Sequence, residues 1–125
     1  GLVASDFGDL VRSAAASASE DEQDLDKMVF RLDVFEALAR GYLHAASSFL
    51  TPAELESLPL APMVLTLELA ARFLTDYLEG DSYFKIGYPK HNLDRCRAQL
   101  KLLASMEEQK AEIREILECH SLKPT

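Results

Sequence analysis

At 125 residues, with 21 acidic side chains against 13 basic ones and a formal net charge of −8, the chain is long enough for one domain with a buried core and too acidic to favour a phosphate backbone. Its apolar share of 48% excludes wholesale disorder, and no apolar run reaches the ~20 residues of a spanning helix, because Glu68, Arg72 and Asp76 interrupt the stretch 64–78. Neither nucleic acid nor membrane is therefore an expected partner. With no basic leader at the start, a cytoplasmic protein is expected, with Cys96 and Cys119 as reduced thiols.

In chain order, the apolar spacing is helical almost throughout and predicts an all-α domain of about five helices spanning 1–125. Asp6 is placed to cap a first helix running to about Ala18, with Phe7, Leu10 and Val11 on one face. The acidic run Ser19-Glu20-Asp21-Glu22-Gln23-Asp24 then reads as a solvated link. A second helix is expected from about Asp33 to Leu50, where Val34, Leu38, Tyr42, Ala45 and Phe49 recur at three- and four-residue steps. Gly41 inside it suggests a close helix crossing.

Thr51-Pro52-Ala53-Glu54 is a strong start signal: a threonine cap, proline in the first turn, and glutamate to complete a capping box. The short helix it opens ends near Leu58, before Pro59 and Pro62. The longest helix is expected from about Pro62 to Glu79, stopped by Gly80, and its apolar residues cover nearly the whole circumference, as in a central buried helix. Residues 81–89 break the periodicity and read as an aromatic-rich structured loop. Asn92 is then placed to cap a final helix to about Glu118, carrying Leu93, Cys96, Leu100, Leu103, Met106, Ile113 and Leu117.

His44, His91 and His120 have no metal-ligand spacing, and the glycines form no phosphate loop. Arg72 is the residue of most interest. A guanidinium in a largely apolar helix must be paired, here with Glu68 or Asp76, or must face a ligand. Tyr83 presents the same choice between a core plug and a pocket wall. An aromatic ring with one polar atom suits a sugar, stacking on C–H faces and bonding hydroxyls.

Two stretches taken together are more specific. One is Gly1-Leu2-Val3-Ala4-Ser5-Asp6-Phe7-Gly8-Asp9-Leu10-Val11-Arg12 with the following Glu20-Asp21-Glu22 and Asp24-Leu25-Asp26. The other runs from Leu67-Glu68-Leu69 through Arg72-Phe73-Leu74-Thr75-Asp76-Tyr77-Leu78, Gly80-Asp81 and Tyr83-Phe84 to His91-Asn92-Leu93-Asp94-Arg95. Over nearly the whole chain this resembles the C-terminal part of the aminoglycoside-phosphotransferase-like kinases, and among them the N-acetylhexosamine 1-kinase group.

The resemblance implies a helical subdomain of a protein-kinase-like fold, on the sugar side of the site. Arg72 and Tyr83 would contact the sugar, and Asp6 would brace the catalytic loop rather than hold magnesium, despite the letters Asp6-Phe7-Gly8. It also implies that ATP and Mg2+ serve the full-length protein, whose ATP lobe, catalytic loop and metal aspartate have no counterpart in these residues. The chain alone is then expected to bind no cofactor and to be inactive. The rival expectation is a non-enzymatic acidic helical module that binds a partner helix through an exposed apolar groove, or self-associates through surface a missing lobe would cover.

Overall fold

The structure, a computed structural model, describes residues 2–121. Gly1, at the head of the first resembling stretch, lies outside the described residues. Among the described residues the fold is all-helical: α1 (Leu2–Ala15), α2 (Leu32–Ala46), α3 (Pro52–Ser57), α4 (Ala61–Leu78), α5 (His91–Glu108) and α6 (Lys110–Ser121), with a 3-10 turn at Leu25–Lys27. Among the described residues the one β-type pairing is an isolated antiparallel bridge between Ala16 and Phe30.

Asp6 is not the cap of α1. The buried stripe of that helix is Ala4, Phe7, Val11 and Ala15, so the apolar periodicity begins before Asp6 and the helix begins with it. Leu10 falls off this stripe and is exposed. Nor does α1 reach Ala18. Ala16 turns into the bridge with Phe30, while the Arg31 N–H donates to the Ala15 carbonyl at 2.8 Å and the Ser17 N–H to that of Val29 at 3.0 Å. Pairing with a distant segment here overrides the local helical preference of an alanine run.

The loop so closed, 17–29, is held at its neck and at its far end. Ser17 Oγ donates to the Lys27 carbonyl at 2.6 Å and accepts the Val29 N–H at 2.8 Å. Met28 and Phe30 at its C-terminal side are buried in the core.

In α2 the core face is Phe35, Ala39 and Leu43, one residue along from the expected row of Val34, Leu38 and Tyr42, which flank it half-buried. The helix ends at Ala46 rather than Leu50, and Phe49 stands 82% exposed beyond it. Its N-cap is Arg31 without a side-chain bond, and Asp33 lies in the first turn. The capping box of α3 is formed in full: Thr51 Oγ1 accepts the Glu54 N–H at 3.1 Å, and Glu54 Oε1 accepts the Thr51 N–H at 2.9 Å.

Helix α4 packs chiefly on α5 and α1, and α2 packs on α6 and α1. The close crossing is made by Gly8, not Gly41. A Cβ on Gly8 would stand 2.7 Å from the Ala61 carbonyl oxygen, whereas nothing lies within 4 Å of one on Gly41. The main core gathers Phe7, Phe35, Leu43, Leu102, Met106 and Ile113 between these helices.

Three further expectations are corrected. α4 is not buried all round: Met63, Thr66, Ala70, Phe73 and Asp76 face inward, and Val64, Leu67, Leu74 and Leu78 face out. The final helix is two, broken at Gln109, whose side-chain amide turns inward to donate to the Phe30 carbonyl at 2.9 Å. Neither glycine nor proline marks that break. Asn92 does not cap α5 either; it lies in the first turn, and its amide is committed elsewhere.

Candidate functional site

Gly80 and Asp81 both adopt left-handed backbone, with φ of 94° and 61°. Glycine takes this freely and aspartate tolerates it better than most residues. The two reverse the chain at the end of α4, so that residues 82–84 fold back along its last turns.

Asp76 holds that return. It occupies the buried face of α4, three residues after Phe73, and both its carboxylate oxygens are used. Oδ1 accepts the Tyr83 N–H at 2.8 Å, and Oδ2 accepts the Phe84 N–H at 3.0 Å and the Asn92 amide at 2.8 Å. Its own carbonyl accepts the Asp81 N–H at 2.7 Å. Burial works against the charged carboxylate, but the bonds from Phe84, Tyr83 and Asn92 outweigh it and hold the pKa below the ordinary aspartate value.

Asn92 extends the network, donating also to Asp81 Oδ1 at 3.0 Å and accepting from Arg95 Nη1 at 2.9 Å. The Arg95 guanidinium lies 5.5 Å from the centre of the Phe73 ring, above a small cluster of Ala70, Phe73 and Cys96. Burial pushes the Cys96 thiol up, which leaves it protonated and inert.

The result is a cleft of about 470 Å3 between the C-terminal half of α4 and the 82–84 segment, walled by Glu68, Arg72, Thr75, Glu79, Tyr83 and Phe84. Arg72 is exposed rather than buried, and it is in none of the ion pairs among the described residues, so pairing with Glu68 or Asp76 is not its role. Its guanidinium carbon instead lies 5.8 Å from the Tyr83 ring centre and 5.7 Å from that of Phe84. Those contacts orient the side chain and leave its N–H edge available. Tyr83 is no core plug: it is 74% exposed at the rim, edge-on to Phe84 at 4.9 Å. The sequence-predicted pair Arg72 and Tyr83 is thus brought together.

Asp6 is not brought to them. It lies on the exposed face of α1 near the half-buried Tyr42, whose phenol is pushed up by burial first and then by the charges of Asp6 and Glu54. No hydrogen bond or ion pair among the described residues engages the Asp6 carboxylate.

A second polar cluster escaped sequence reasoning. His91 Nδ1 accepts the Gly87 N–H at 2.9 Å, so the ring proton is on Nε2 and points to Asp21 Oδ2 at 2.8 Å. This bond first, and Ser19 Oγ at 2.9 Å second, hold the Asp21 carboxyl below its ordinary value. Tyr88 stacks on His91 at 4.5 Å, donates to Asp94 at 2.8 Å and accepts from Gln23 at 3.2 Å. Glu20 lies 3.7 Å from Arg95. The acidic link is therefore clipped to the head of α5, not merely solvated.

The signal for Asp76 was present in the sequence: an aspartate at a core position of a helix implies a hydrogen-bonded buried carboxylate. Nothing comparable marked His91. Among the described residues no group of three or more histidine, cysteine, aspartate or glutamate side chains converges to hold a metal, and no helix is long and apolar enough to cross a membrane. Cys96 and Cys119 are both free thiols. No family model matches the chain.

Proposed function

We propose that this chain forms the sugar-side helical portion of an aminoglycoside-phosphotransferase-like kinase, and that the full-length protein transfers the γ-phosphoryl group of ATP to an N-acetylhexosamine. The observation that carries this is the cleft itself. Arg72 stands unpaired beside Tyr83, on a segment that Asp76 holds rigid. A guanidinium edge donates to hydroxyl or N-acetyl oxygens, and the Tyr83 ring offers an apolar face to sugar C–H groups. Glu68 and Glu79 supply acceptors for sugar hydroxyls and make the cleft a poor host for an anion.

As the resemblance implies, ATP and Mg2+ are assigned to parts of the full-length protein outside these residues, and no chemical step is routed through this chain. Its contribution is to bind and orient the acceptor. Asp6, with an uncommitted carboxylate, suits the role of accepting N–H groups from a catalytic loop.

The test is a kinase assay on the full-length protein with ATP, Mg2+ and N-acetylglucosamine or N-acetylgalactosamine. Arg72→Ala should lower kcat/KM by roughly 5- to 150-fold, the loss of one charged hydrogen bond of about 1–3 kcal/mol. The 125-residue chain alone should show no transfer. Unchanged kinetics in Arg72→Ala, or turnover by the isolated chain, would refute the assignment.

A further inference from the structure

Asp76, in the last turn of α4, and Asp81, just beyond the helix, bring two carboxylates to one nitrogen atom. Asn92 Nδ2 donates to Asp76 Oδ2 at 2.8 Å and to Asp81 Oδ1 at 3.0 Å. Like charges this close repel, and Asp81 already sits in left-handed backbone, with φ of 61°. Such a pair is best held by a neutral group with two N–H donors on one atom. A hydroxyl has one proton, and an ammonium would be a further buried charge.

The Asn92 amide is fixed in that orientation. Its Oδ1 accepts from Arg95 Nη1 at 2.9 Å, which leaves the nitrogen facing the carboxylates. Asn92 is 0% exposed, so solvent does not make good a donor lost there. Helix α5 begins without its help, since the N-cap is Lys90 and no side chain caps it.

We infer, on the reading of the Arg72 cleft as a sugar site, that Asn92 is its positioning residue: by clamping Asp76 to Asp81 it sets where Tyr83 stands. Tyr83 has little packing of its own. It is 74% exposed, and its ring meets only Phe84 and Arg72 at the rim. Its N–H, donating to Asp76 Oδ1 at 2.8 Å, links it to the clamp. A ring with so few contacts goes where its backbone goes.

Arg95 supports the same wall by a second route. Its guanidinium lies 5.5 Å from the Phe73 ring centre, and the Phe73 ring lies 4.8 Å from that of Phe84. Asn92, Asp81 and Arg95 are all outside the lining of the cleft, so Asn92 reaches a sugar only through Tyr83 and Phe84. Losing the clamp therefore weakens the acceptor's binding in ground state and transition state alike, which raises KM and leaves kcat in place.

In the full-length protein, assayed with ATP, Mg2+ and N-acetylglucosamine, Asn92→Ala and Asp81→Gly should each raise the sugar KM about fivefold or more, with kcat within about twofold. Asp81→Gly keeps the left-handed turn and removes one arm of the clamp, so it answers even where Asn92→Ala folds poorly. In a Tyr83→Ala background neither substitution should move KM by more than about twofold, a loss of effect that general destabilisation does not produce. In the 125-residue chain carrying Asp81→Gly, the Tyr83 and Phe84 amides should exchange with solvent about tenfold faster, while those of Leu102 and Met106 keep their rates. An unchanged KM in Asp81→Gly, where Arg72→Ala still impairs the full-length protein, overturns the positioning role and spares the sugar reading. So does a KM effect that persists without Tyr83. Unchanged kinetics in Arg72→Ala overturns the sugar reading itself, and unchanged amide exchange overturns the clamp whatever the kinetics.

Discussion

Gly8 and Gly41 are both interior helical glycines, and alanine at either gains about 1 kcal/mol of intrinsic helix preference. The two should nevertheless respond in opposite directions. At Gly41 nothing lies within 4 Å of the added methyl group, so the gain is realised. At Gly8 the methyl carbon would meet the Ala61 carbonyl oxygen at 2.7 Å, its carbon at 2.8 Å and the Ala61 Cβ at 3.2 Å. These are mostly backbone atoms and cannot rotate away.

To restore ordinary contact, α1 and α4 must part by about 0.5 Å at a principal core interface, and such overpacking costs about 1–3 kcal/mol. Gly8→Ala should therefore lose about 1–2 kcal/mol net while Gly41→Ala gains up to about 1 kcal/mol. Urea titration followed by circular dichroism should separate the two midpoints by about 1 M. The melting temperatures should differ by about 8–12 °C. Equal stabilisation by both substitutions would refute the crossing.

Thr51→Ala removes the capping box of α3 and should cost about 1 kcal/mol, read as a lower urea midpoint. Phe35→Ala, at a fully buried ring touching Phe7 and Phe30, should cost about 3–5 kcal/mol and leave the chain largely unfolded near body temperature. Gln99 is 1% exposed, and its Oε1 has no protein partner, so Gln99→Met should be neutral or slightly stabilising in a thermal melt. Asp76 and Asp21 both release their protons more readily folded than unfolded, so their contribution is complete above about pH 4 and is lost as pH falls through their lowered values. Asp76→Asn should accordingly lower the melting temperature at pH 7 and flatten its fall below about pH 4; an unchanged acid profile would show that folding does not lower the pKa of this carboxyl.

Much of this architecture was legible in the sequence because it rests on local chemistry. Thr51, Pro52 and Glu54 make a cap whose partners are within three residues, and Gly80 takes the left-handed turn that stops α4. What was illegible depends on distant partners. α1 ends at Ala15 because Phe30 pairs with Ala16, and the final helix breaks at Gln109 because its amide bonds to the Phe30 carbonyl. Asn92 looked like a cap, but Asp76 and Asp81 take its amide. At the site, residue type alone singled out Arg72 and Tyr83. Whether they were buried or exposed depended on how the chain folds back after Gly80, which periodicity does not report.

The closed loop 17–29 has a consequence for how the molecule opens. Its neck is fixed by paired main-chain groups at Ala15, Ser17, Val29 and Arg31, and its far side by Asp21 on His91. Amide protons along it should then exchange with solvent together, in one event, with no gradual fraying from either end. A protease that cuts once among residues 20–24 would leave both strands of the neck in place. Two fragments held this way should migrate as one particle until denaturant separates them.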